Sequence, residues 1–531
     1  MVRADALSRR NILRSSAGVG GALALGPLLS PAAEAAAAAH AVPTGAAGAA
    51  AKDIYRAIGV RPLINARGTF TILSGSLMLP QVREAIDQAS RQYVHLDELA
   101  DAVGRRLAEL TKAEFGLVSS GCAAGLTHAT AACVAGGNPD LHVRIPDLTG
   151  FQKTEVIIPK HSRNVYEAAI SAVGVKVVEV STRQELEAAI GPQTALVYIM
   201  AGPRVDKSEL NTKVIAEVAK PRGVPVLVDA AAEILTIPNV HLGYGADLVA
   251  YSGGKAIRGP QSAGLLLGRE DLVRAAWVHS APHHGFARGF KVGKEEAMGM
   301  LMAVETWVRR DHDAEYARWE SWLRYIARRV SSVKGVTTEV VQPEGLSNRT
   351  PSLRILWEEQ RLGVSGKTVM DTLYDDEPRI ALNQTGGGGK TGVSITPYML
   401  SPGDEKVIAR RLVELLRDPP APPEPPKPPA VQVGGTWAVK IQYLAGSSTA
   451  HRLQLTQSGE KVTGSHTGEF VTRDLTGTVS GDTVRLRSVY PESHGDALDF
   501  TFTGTVAGGA MRGDLDMGEY LKATWTATRA G

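Results

Sequence analysis

Between about residues 53 and 416, short runs of β-branched and apolar residues alternate with longer stretches of helical periodicity. The clearest apolar runs are residues 155–158, 175–180, 195–200, 224–228 and 247–251, and helical patterns lie at residues 183–190 and 212–220. Strands that alternate with helices predict an α/β domain built on a mainly parallel sheet.

The pattern changes after residue 430, where apolar and polar residues alternate in many short runs. These runs are residues 437–442, 452–457, 483–488, 499–505 and 523–528, and glycine-containing turn signals separate them. Regular short strands of this kind predict a small antiparallel β-barrel or sandwich over residues 431–531. The linker at residues 417–430 contains eight prolines within residues 419–429, which predicts a stiff spacer of about 34 Å.

The first residues differ from both patterns. Ser8-Arg9-Arg10-Asn11-Ile12-Leu13-Arg14 precedes an Ala/Gly/Leu-rich run, which predicts a twin-arginine signal peptide over residues 1–39, followed by an Ala/Gly tether at residues 40–52. A short transmembrane anchor is the alternative, but glycines interrupt the run before the roughly 20 residues that a span needs. We therefore expect export by the twin-arginine machinery to the periplasm or the exterior, without stable membrane insertion.

Composition and cysteine usage exclude several classes of protein. An apolar share of 44% with 21% charged residues excludes a largely disordered chain, and a net charge of +3 gives no electrostatic case for nucleic acid. No metal site is predicted. Cys122 and Cys133 are eleven residues apart on one predicted helix, about 16 Å along its axis, so we expect both thiols to be free.

Lys255 follows a predicted strand in a glycine-rich turn, after Ser252-Gly253-Gly254 and before a second glycine-rich stretch at residues 258–264. A lysine that forms a Schiff base needs an amine of lowered pKa on a rigid backbone that can approach a cofactor closely. Ser252 could reach a cofactor phosphate. An exposed turn lysine explains the same motif, so the lysine alone leaves both interpretations open.

Asp229 ends the buried run at residues 224–228, at the edge where ligands of open α/β sheets bind. A carboxylate there needs a cationic partner, and a protonated pyridine nitrogen is one. The alternative is an Asp that caps a helix at residues 230–233. The spacing to Lys255 favours the cofactor interpretation.

A third segment predicts an anion site. Ser120 and the following Gly121, Cys122 and Ala123 open an Ala-rich helix, whose free amides can bind a phosphate. Alone this signal is unspecific. Together with Asp229 and Lys255 it supplies the phosphate cradle, ring-nitrogen partner and Schiff-base lysine of a pyridoxal 5'-phosphate site. The predicted cofactor-binding residues are Ser120, Gly121, Cys122, Ala123, Asp229, Ser252 and Lys255.

His161 follows the run at residues 155–158 and is a third candidate catalytic residue beside Lys255 and Asp229, because it could stack on the pyridine ring. A solvated loop histidine is the alternative. The run Gly386-Gly387-Gly388-Gly389-Lys390-Thr391 is similar to the end of a nucleotide-binding loop, but Gln384 stands where that motif needs its first glycine. We expect a flexible loop there.

These motifs resemble fold-type I pyridoxal-phosphate enzymes, in the branch of selenocysteine synthase and D-glucosaminate-6-phosphate ammonia lyase. The resemblance covers about residues 55–416 and rests on Leu96-Asp97-Glu98-Leu99, residues 119–125, Asp229 and the segment from Ser252 to Gln261. It implies a large cofactor-binding domain at residues 53–310, a small α/β domain at residues 311–416, and a homodimer or larger assembly. It also implies Arg288 and Lys291 as substrate-binding residues. Arg354 is a candidate for the substrate carboxylate or, equally, a surface strand arginine.

The predicted activity follows from the same resemblance. Ala230-Ala231-Ala232-Glu233 after Asp229 is similar to the ammonia-lyase side of the branch, and a seryl-tRNA substrate is hard to reconcile with export. We expect α,β-elimination on a small-molecule amino acid or amino-sugar acid. The alternatives are a racemase or aminotransferase, a selenium transferase by family alone, and a non-catalytic exported protein whose barrel binds a ligand.

Overall fold

The computed structural model describes residues 53–421, 425–489 and 498–530, so the predicted signal peptide and the whole predicted tether lie outside the described residues. Residues 53–62 belong to a separate unit. In it, the Asp53 carboxylate accepts hydrogen bonds from the amides of Tyr55 and Arg56 and so begins one turn of 3-10 helix at Arg56–Ile58.

The strands of the remaining chain are β1 (Leu63–Asn65), β2 (Phe115–Ser119), β3 (Glu155–Pro159), β4 (Lys176–Val180), β5 (Thr194–Met200), β6 (Val226–Asp229), β7 (Leu248–Ser252), β8 (Gly264–Gly268), β9 (Thr337–Val341), β10 (Ser352–Trp357), β11 (Arg379–Ala381), β12 (Asn383–Gly387), β13 (Lys390–Ile395), β14 (Gly435–Gln442), β15 (Ser448–Ser458), β16 (Lys461–Thr467), β17 (Thr472–Ser480), β18 (Thr483–Val489), β19 (Asp499–Ala507), β20 (Ala510–Asp516) and β21 (Lys522–Arg529). The longer helices are α1 (Pro80–Ser90), α2 (Leu96–Thr111), α3 (Gly121–Ala135), α4 (Arg183–Ala189), α5 (Thr212–Ala219), α6 (Glu270–Val278), α7 (Lys294–Arg309), α8 (His312–Val330), α9 (Gly366–Asp375) and α10 (Asp404–Arg417). One-turn helices lie at Pro139–His142, Ala168–Ser171, Pro203–Asp206, Val240–Gly243 and Glu359–Leu362.

A seven-stranded sheet forms the large domain, in the order β2-β8-β7-β6-β5-β3-β4. Strands β7, β6, β5, β3 and β4 are neighbours in that order and are parallel to one another. Strand β8 is antiparallel to both β7 and β2. Strands β2, β6 and β8 are buried along their whole length, because helices cover both faces of the sheet. This confirms the predicted α/β fold with a mainly parallel sheet.

The small domain contains an antiparallel sheet of order β12-β13-β10-β9, which shares a core with α8, α9 and α10. Strand β1 pairs in parallel with β11, and Ala66 is buried in that same core. The predicted large-domain range of residues 53–310 therefore includes a segment that packs with the small domain. The expectation of a flexible loop at residues 386–391 is wrong, because β12 and β13 form a hairpin in which Gly387 pairs with Lys390.

The C-terminal domain is a closed eight-stranded antiparallel barrel, β14 to β21 in sequential order, with β21 paired back to β14. Its alternating burial follows the predicted pattern, and the inward side chains include Trp437, Phe502 and Trp525. The linker is not a free spacer throughout, since the backbone of Lys427 and Ala430 is hydrogen-bonded to Ser480 and Gly481 at the β17–β18 turn. Among the described residues, no helix combines the length and apolar character needed to cross a bilayer.

Candidate active site

Lys255 lies in a tight turn directly after β7. Glycine is required beside it, because a Cβ on Gly254 would lie 2.8 Å from the Cα of Gln261 and a Cβ on Gly253 would lie 2.7 Å from the carbonyl of Ala263. The amide of Arg258 donates to the carbonyl of Lys255 over 3.0 Å and closes the turn. Within the described part of the chain, no hydrogen bond or ion pair engages the Lys255 amine. The backbone of this lysine is therefore rigid, while its amine is available.

Asp229 ends the neighbouring strand β6 and is only 4% exposed. Its carboxylate accepts hydrogen bonds from the Tyr198 hydroxyl at 3.0 Å, the Ala231 amide at 3.0 Å and the Cys122 thiol at 3.5 Å. Burial raises the pKa of Asp229, and these donors together with the nearby positive charge of Lys255 oppose that rise. The three donors are neutral, so the negative charge of this buried carboxylate is suited to a cationic group on a ligand.

Two residues around Asp229 hold it in place. Tyr198 is fully buried on β5, and its hydroxyl also accepts a hydrogen bond from the Asn164 amide group at 3.1 Å. Burial and the charge of Asp229 raise the pKa of Tyr198, so that its hydroxyl remains a donor. Burial and the same charge raise the pKa of the Cys122 thiol. The sequence did not predict a role for Tyr198, because a tyrosine in a buried strand does not indicate which residue its hydroxyl contacts.

The start of α3 faces open space beside these groups. Ser120 makes no side-chain cap, which leaves the first amides of the helix for another acceptor, and a Cβ on Gly121 would meet nothing within 4 Å. Strand β8 passes directly beneath, because a Cβ on Gly264 would lie 2.3 Å from the carbonyl carbon of Gly121. Gly264 pairs with Ser119 on one side and with Ser252 on the other. The register thus places Ser252 at the same sheet edge as the helix start.

Among the described residues, no hydrogen bond or ion pair joins the remaining predicted residues to Lys255 or Asp229. His161 is half-buried at the end of β3, and its two ring nitrogens are hydrogen-bonded to Ser162 at 3.0 Å and to the Leu210 carbonyl at 3.1 Å. Burial lowers the pKa of His161. Arg288 and Lys291 are exposed in the segment between α6 and α7. Their roles, and the stacking role of His161, stay predictions.

Arg354 lies on the outward face of β10, between the buried residues Leu353 and Ile355. Its guanidinium contacts the Glu339 carboxylate at 3.4 Å and donates to the Gly386 carbonyl at 3.2 Å. These contacts fit the surface-strand alternative, because they engage Arg354 on the small-domain sheet.

A second segment at the site was missed in the sequence. Residues 67–77 cover the lysine turn: Gln261 donates to the Thr71 carbonyl at 3.1 Å, and Arg258 donates to the Leu77 carbonyl at 2.9 Å. A Cβ on Gly75 would lie 2.7 Å from the Gly254 carbonyl, so this glycine is needed for close approach. Gly75 is the residue in this segment that could have indicated a close backbone contact, but a single glycine does not show which part of the chain it approaches.

The chain is similar to a known family and to several known proteins. The aminotransferase class-V family model matches residues 157–282. D-glucosaminate-6-phosphate ammonia lyase of Salmonella typhimurium (strain 14028s / SGSC 2262) is 30% identical over 373 residues, covering 68% of this chain and 98% of that protein. 5'-C-glycyluridine monooxygenase-decarboxylase of a Streptomyces species is 32% identical over 390 residues, covering 68% and 92%. A solved structure of D-glucosaminate-6-phosphate ammonia-lyase superposes with a TM-score of 0.62 at 29% identity, covering 69% and 98%.

Proposed function

Because the chain belongs to the aminotransferase class-V family of fold-type I pyridoxal-phosphate enzymes, in the branch that contains D-glucosaminate-6-phosphate ammonia lyase, we propose that it is an ammonia lyase. Its substrate is an amino acid or amino-sugar acid with a β-hydroxyl. Elimination of the α-proton and the β-hydroxyl releases water, and hydrolysis of the resulting enamine then releases ammonia and leaves a keto acid. The observation that carries this proposal is the available amine of Lys255 on a rigid turn, electrostatically coupled to the buried carboxylate of Asp229.

The residues present fit pyridoxal phosphate. Asp229 offers a buried, hydrogen-bonded carboxylate to a protonated ring nitrogen, and the uncapped start of α3 at Gly121 and Cys122 offers amides to a phosphate. Ser252 stands at the same edge, and Lys255 would hold the cofactor covalently. When bound, the cofactor withdraws electron density from the α-carbon of an attached amine.

The chain's own groups then have distinct tasks. The Lys255 amine takes the proton from the substrate α-carbon, since a lysine on a rigid backbone is a positioned general base. Asp229 would be the partner of a protonated ring nitrogen: burial raises the pKa of its carboxyl, and the hydrogen bonds from Ala231 and Tyr198 and the charge of Lys255 oppose that rise. Tyr198 and Cys122 are positioning residues that fix the carboxylate. The β-hydroxyl takes up a proton and leaves as water, and either His161 or a water-linked group supplies that proton.

An assay of products distinguishes elimination from the other reactions of this scaffold. We expect the purified protein to release ammonia and keto acid in equal amounts from a β-hydroxy amino-sugar acid without any added keto-acid acceptor. Lys255→Ala should abolish release, and Lys213→Ala, an exposed lysine on α5, should not. Loss of optical activity without ammonia, or dependence on an acceptor, would contradict elimination. Full biological activity of Lys255→Ala would instead support a binding protein.

We also propose that the protein is exported through the twin-arginine pathway as a folded homodimer or larger assembly. Arg9 and Arg10 support the route, and prior folding suits an enzyme that binds a cytoplasmic cofactor. Replacing both arginines with lysine should retain the protein in the cytoplasmic fraction, and light scattering of the mature protein should give at least twice the chain mass. Export of the double variant at the wild-type level would contradict the proposed route.

A further inference from the structure

A buried acid–histidine pair joins the loop that follows Asp229 to the one-turn helix Val240–Gly243. The Glu233 carboxylate lies 2.6 Å from Nε2 of His241, and both side chains are buried. The Ser347 hydroxyl, from the small domain, donates to the same carboxylate at 3.5 Å. Removing one partner of a buried pair is strongly disruptive, because the other is left without its contact. Glu233 is therefore a fixed point of the loop.

Glu233 is tied to Asp229 by the turn between them. Its amide donates to the Ala230 carbonyl at 2.9 Å, and the Ala230 amide donates to the Ala250 carbonyl of β7 at 2.8 Å. The next amide, that of Ala231, donates to the Asp229 carboxylate at 3.0 Å. Burial raises the pKa of Asp229, and this hydrogen bond opposes the rise more than any other neighbouring group does. The turn therefore places the donor on which the charge of Asp229 depends most.

The pair is also tied to the strand that leads to Lys255. The side chain of Asn239 accepts the His241 amide at 3.1 Å and donates to the Tyr251 hydroxyl at 2.7 Å. Tyr251 is fully buried on β7, four residues before Lys255. His241 is therefore held relative to the strand that carries the lysine turn.

The small domain meets the loop at the same point. Two backbone hydrogen bonds, of 3.1 and 2.7 Å, join residues 232–234 to residues 346–348. Between these two bonds, Glu233 and Ser347 form an antiparallel bridge. A shift of either segment therefore acts on the turn next to Asp229.

The titratable side chains around the two acids form separate groups. Among the described residues, those that face Asp229 are Tyr198 on β5, Cys122 on α3 and Lys255 after β7. Those that face Glu233 are His241, Asp206 and Tyr251. Within the same part of the chain, no hydrogen bond joins the Asp229 carboxylate to Glu233 or His241. Glu233 therefore acts on Asp229 through the backbone of residues 230–232.

Resting on the proposed function, in which Asp229 pairs with the protonated ring nitrogen of the cofactor, we propose that Glu233 is a positioning residue for Asp229. Held by His241 and Ser347, it fixes the turn at residues 230–232, so that the amide in this turn stays on the Asp229 carboxylate. The small domain takes part through Ser347.

The pH dependence of cofactor affinity tests this role without turnover. Pyridoxal phosphate is titrated at a series of pH values into the full mature protein after removal of its cofactor, and visible absorbance measures binding. In Glu233→Ala the Ala231 amide is no longer held, so the pKa of Asp229 should rise further and the carboxylate should lose its charge at higher pH. We expect the acid-side loss of affinity to move to higher pH. Where the wild type still binds fully, the dissociation constant of Glu233→Ala should be about 10- to 100-fold higher.

Three more variants identify the contact. Glu233→Gln keeps an oxygen that can accept from His241 and should bind the cofactor like the wild type. Glu233→Asp keeps the charge but is too short for this contact, so it should shift like Glu233→Ala. His241→Ala should also shift, and adding it to Glu233→Ala should cost little more, because both changes break one contact.

Glu405→Ala is the matched control, because it also removes a buried carboxylate, which accepts the Gly403 amide at 2.8 Å at the start of α10. It should lower the thermal midpoint and leave the pH dependence in place. An unmoved pH dependence in folded Glu233→Ala or Glu233→Asp protein would overturn the inference. So would an effect of Glu233→Gln as large as that of Glu233→Ala.

The outcome is separable from that of the proposed function. Ammonia release by the wild type, with no shift in the variants, would overturn this inference alone. The predicted shift without any ammonia release would contradict only the lyase. A wild-type protein that binds no pyridoxal phosphate would overturn both.

Discussion

The contact between β8 and the start of α3 gives a prediction whose size follows from the structure. Gly264→Ala places a methyl group 2.3 Å from the carbonyl carbon of Gly121 and 2.6 Å from the amide nitrogen of Cys122. Ordinary carbon contacts lie near 3.5 Å, so the helix start must move by about 1 Å. Overpacking of this kind costs about 1 to 3 kcal/mol.

The displaced atoms are the amides proposed to bind the cofactor phosphate, so the effect on the cofactor should exceed the effect on the fold. A misplacement of about 1 Å at a site can cost about 100-fold. We expect Gly264→Ala to lower the thermal midpoint by a few degrees and to raise the dissociation constant of pyridoxal phosphate by about 10- to 100-fold. Visible absorbance after dialysis, followed by titration with the cofactor, measures the second quantity.

Two control variants separate the causes. Gly191→Ala adds a methyl group where nothing lies within 4 Å, and Gly477→Ala overpacks the barrel against the Arg485 carbonyl at 2.3 Å. The first should change neither quantity, and the second should destabilise the protein without weakening the cofactor. If Gly264→Ala binds the cofactor as tightly as Gly191→Ala does, the start of α3 is not the phosphate cradle.

Three further predictions concern other parts of the chain. Tyr198→Phe removes a hydrogen-bond donor that lowers the pKa of Asp229, so the pKa of Asp229 should rise further. The acid limb of the pH–rate profile, where Asp229 becomes protonated, should then move to higher pH. An acid limb that does not move would show that Tyr198 does not position Asp229. Burial raises the pKa of Cys133 to about 12 and also raises the pKa of Cys122, so neither thiol should react with a thiol reagent at pH 8 until the protein is unfolded, and rapid labelling of the native protein would contradict this. Trp437 is fully buried, and its indole N–H donates to the Val433 carbonyl at 2.8 Å. Trp437→Ala should therefore destabilise the barrel by about 3 to 5 kcal/mol, while ammonia release per folded enzyme stays the same. A parallel loss of activity would show that the barrel takes part in catalysis.

The sequence predicted those parts of the fold that depend on local pattern. Runs of mainly apolar residues marked β3 to β7 to within two residues. Strands β5, β6 and β7 are buried along most of their length and so leave few polar positions, whereas β4 exposes Lys176 and Glu179. Alternation identified five of the eight barrel strands. It missed β16, β17 and β20, which contain glycines and many polar residues.

Features that depend on distant partners could not be predicted in this way. The antiparallel insertion of β8, the pairing of β1 with β11, and the hydrogen bond from Tyr198 to Asp229 all join residues far apart in the chain. Arg354 illustrates the same limit, since its strand position was predictable but its ion pair with Glu339 was not. Residue types at strand ends were enough to propose Lys255 and Asp229 as site residues, whereas the contacts of Asp229 with Tyr198 and Cys122 required the tertiary structure.

The central claim is that Lys255 is the residue that binds pyridoxal phosphate covalently. Borohydride reduction of the cofactor-replete protein, followed by tryptic peptide mapping, tests it most directly. The account predicts one pyridoxyl group per chain, on the peptide that contains Lys255, and none on the Lys255→Ala variant. Labelling of a different lysine, or an unlabelled Lys255 peptide from protein saturated with the cofactor, would contradict it.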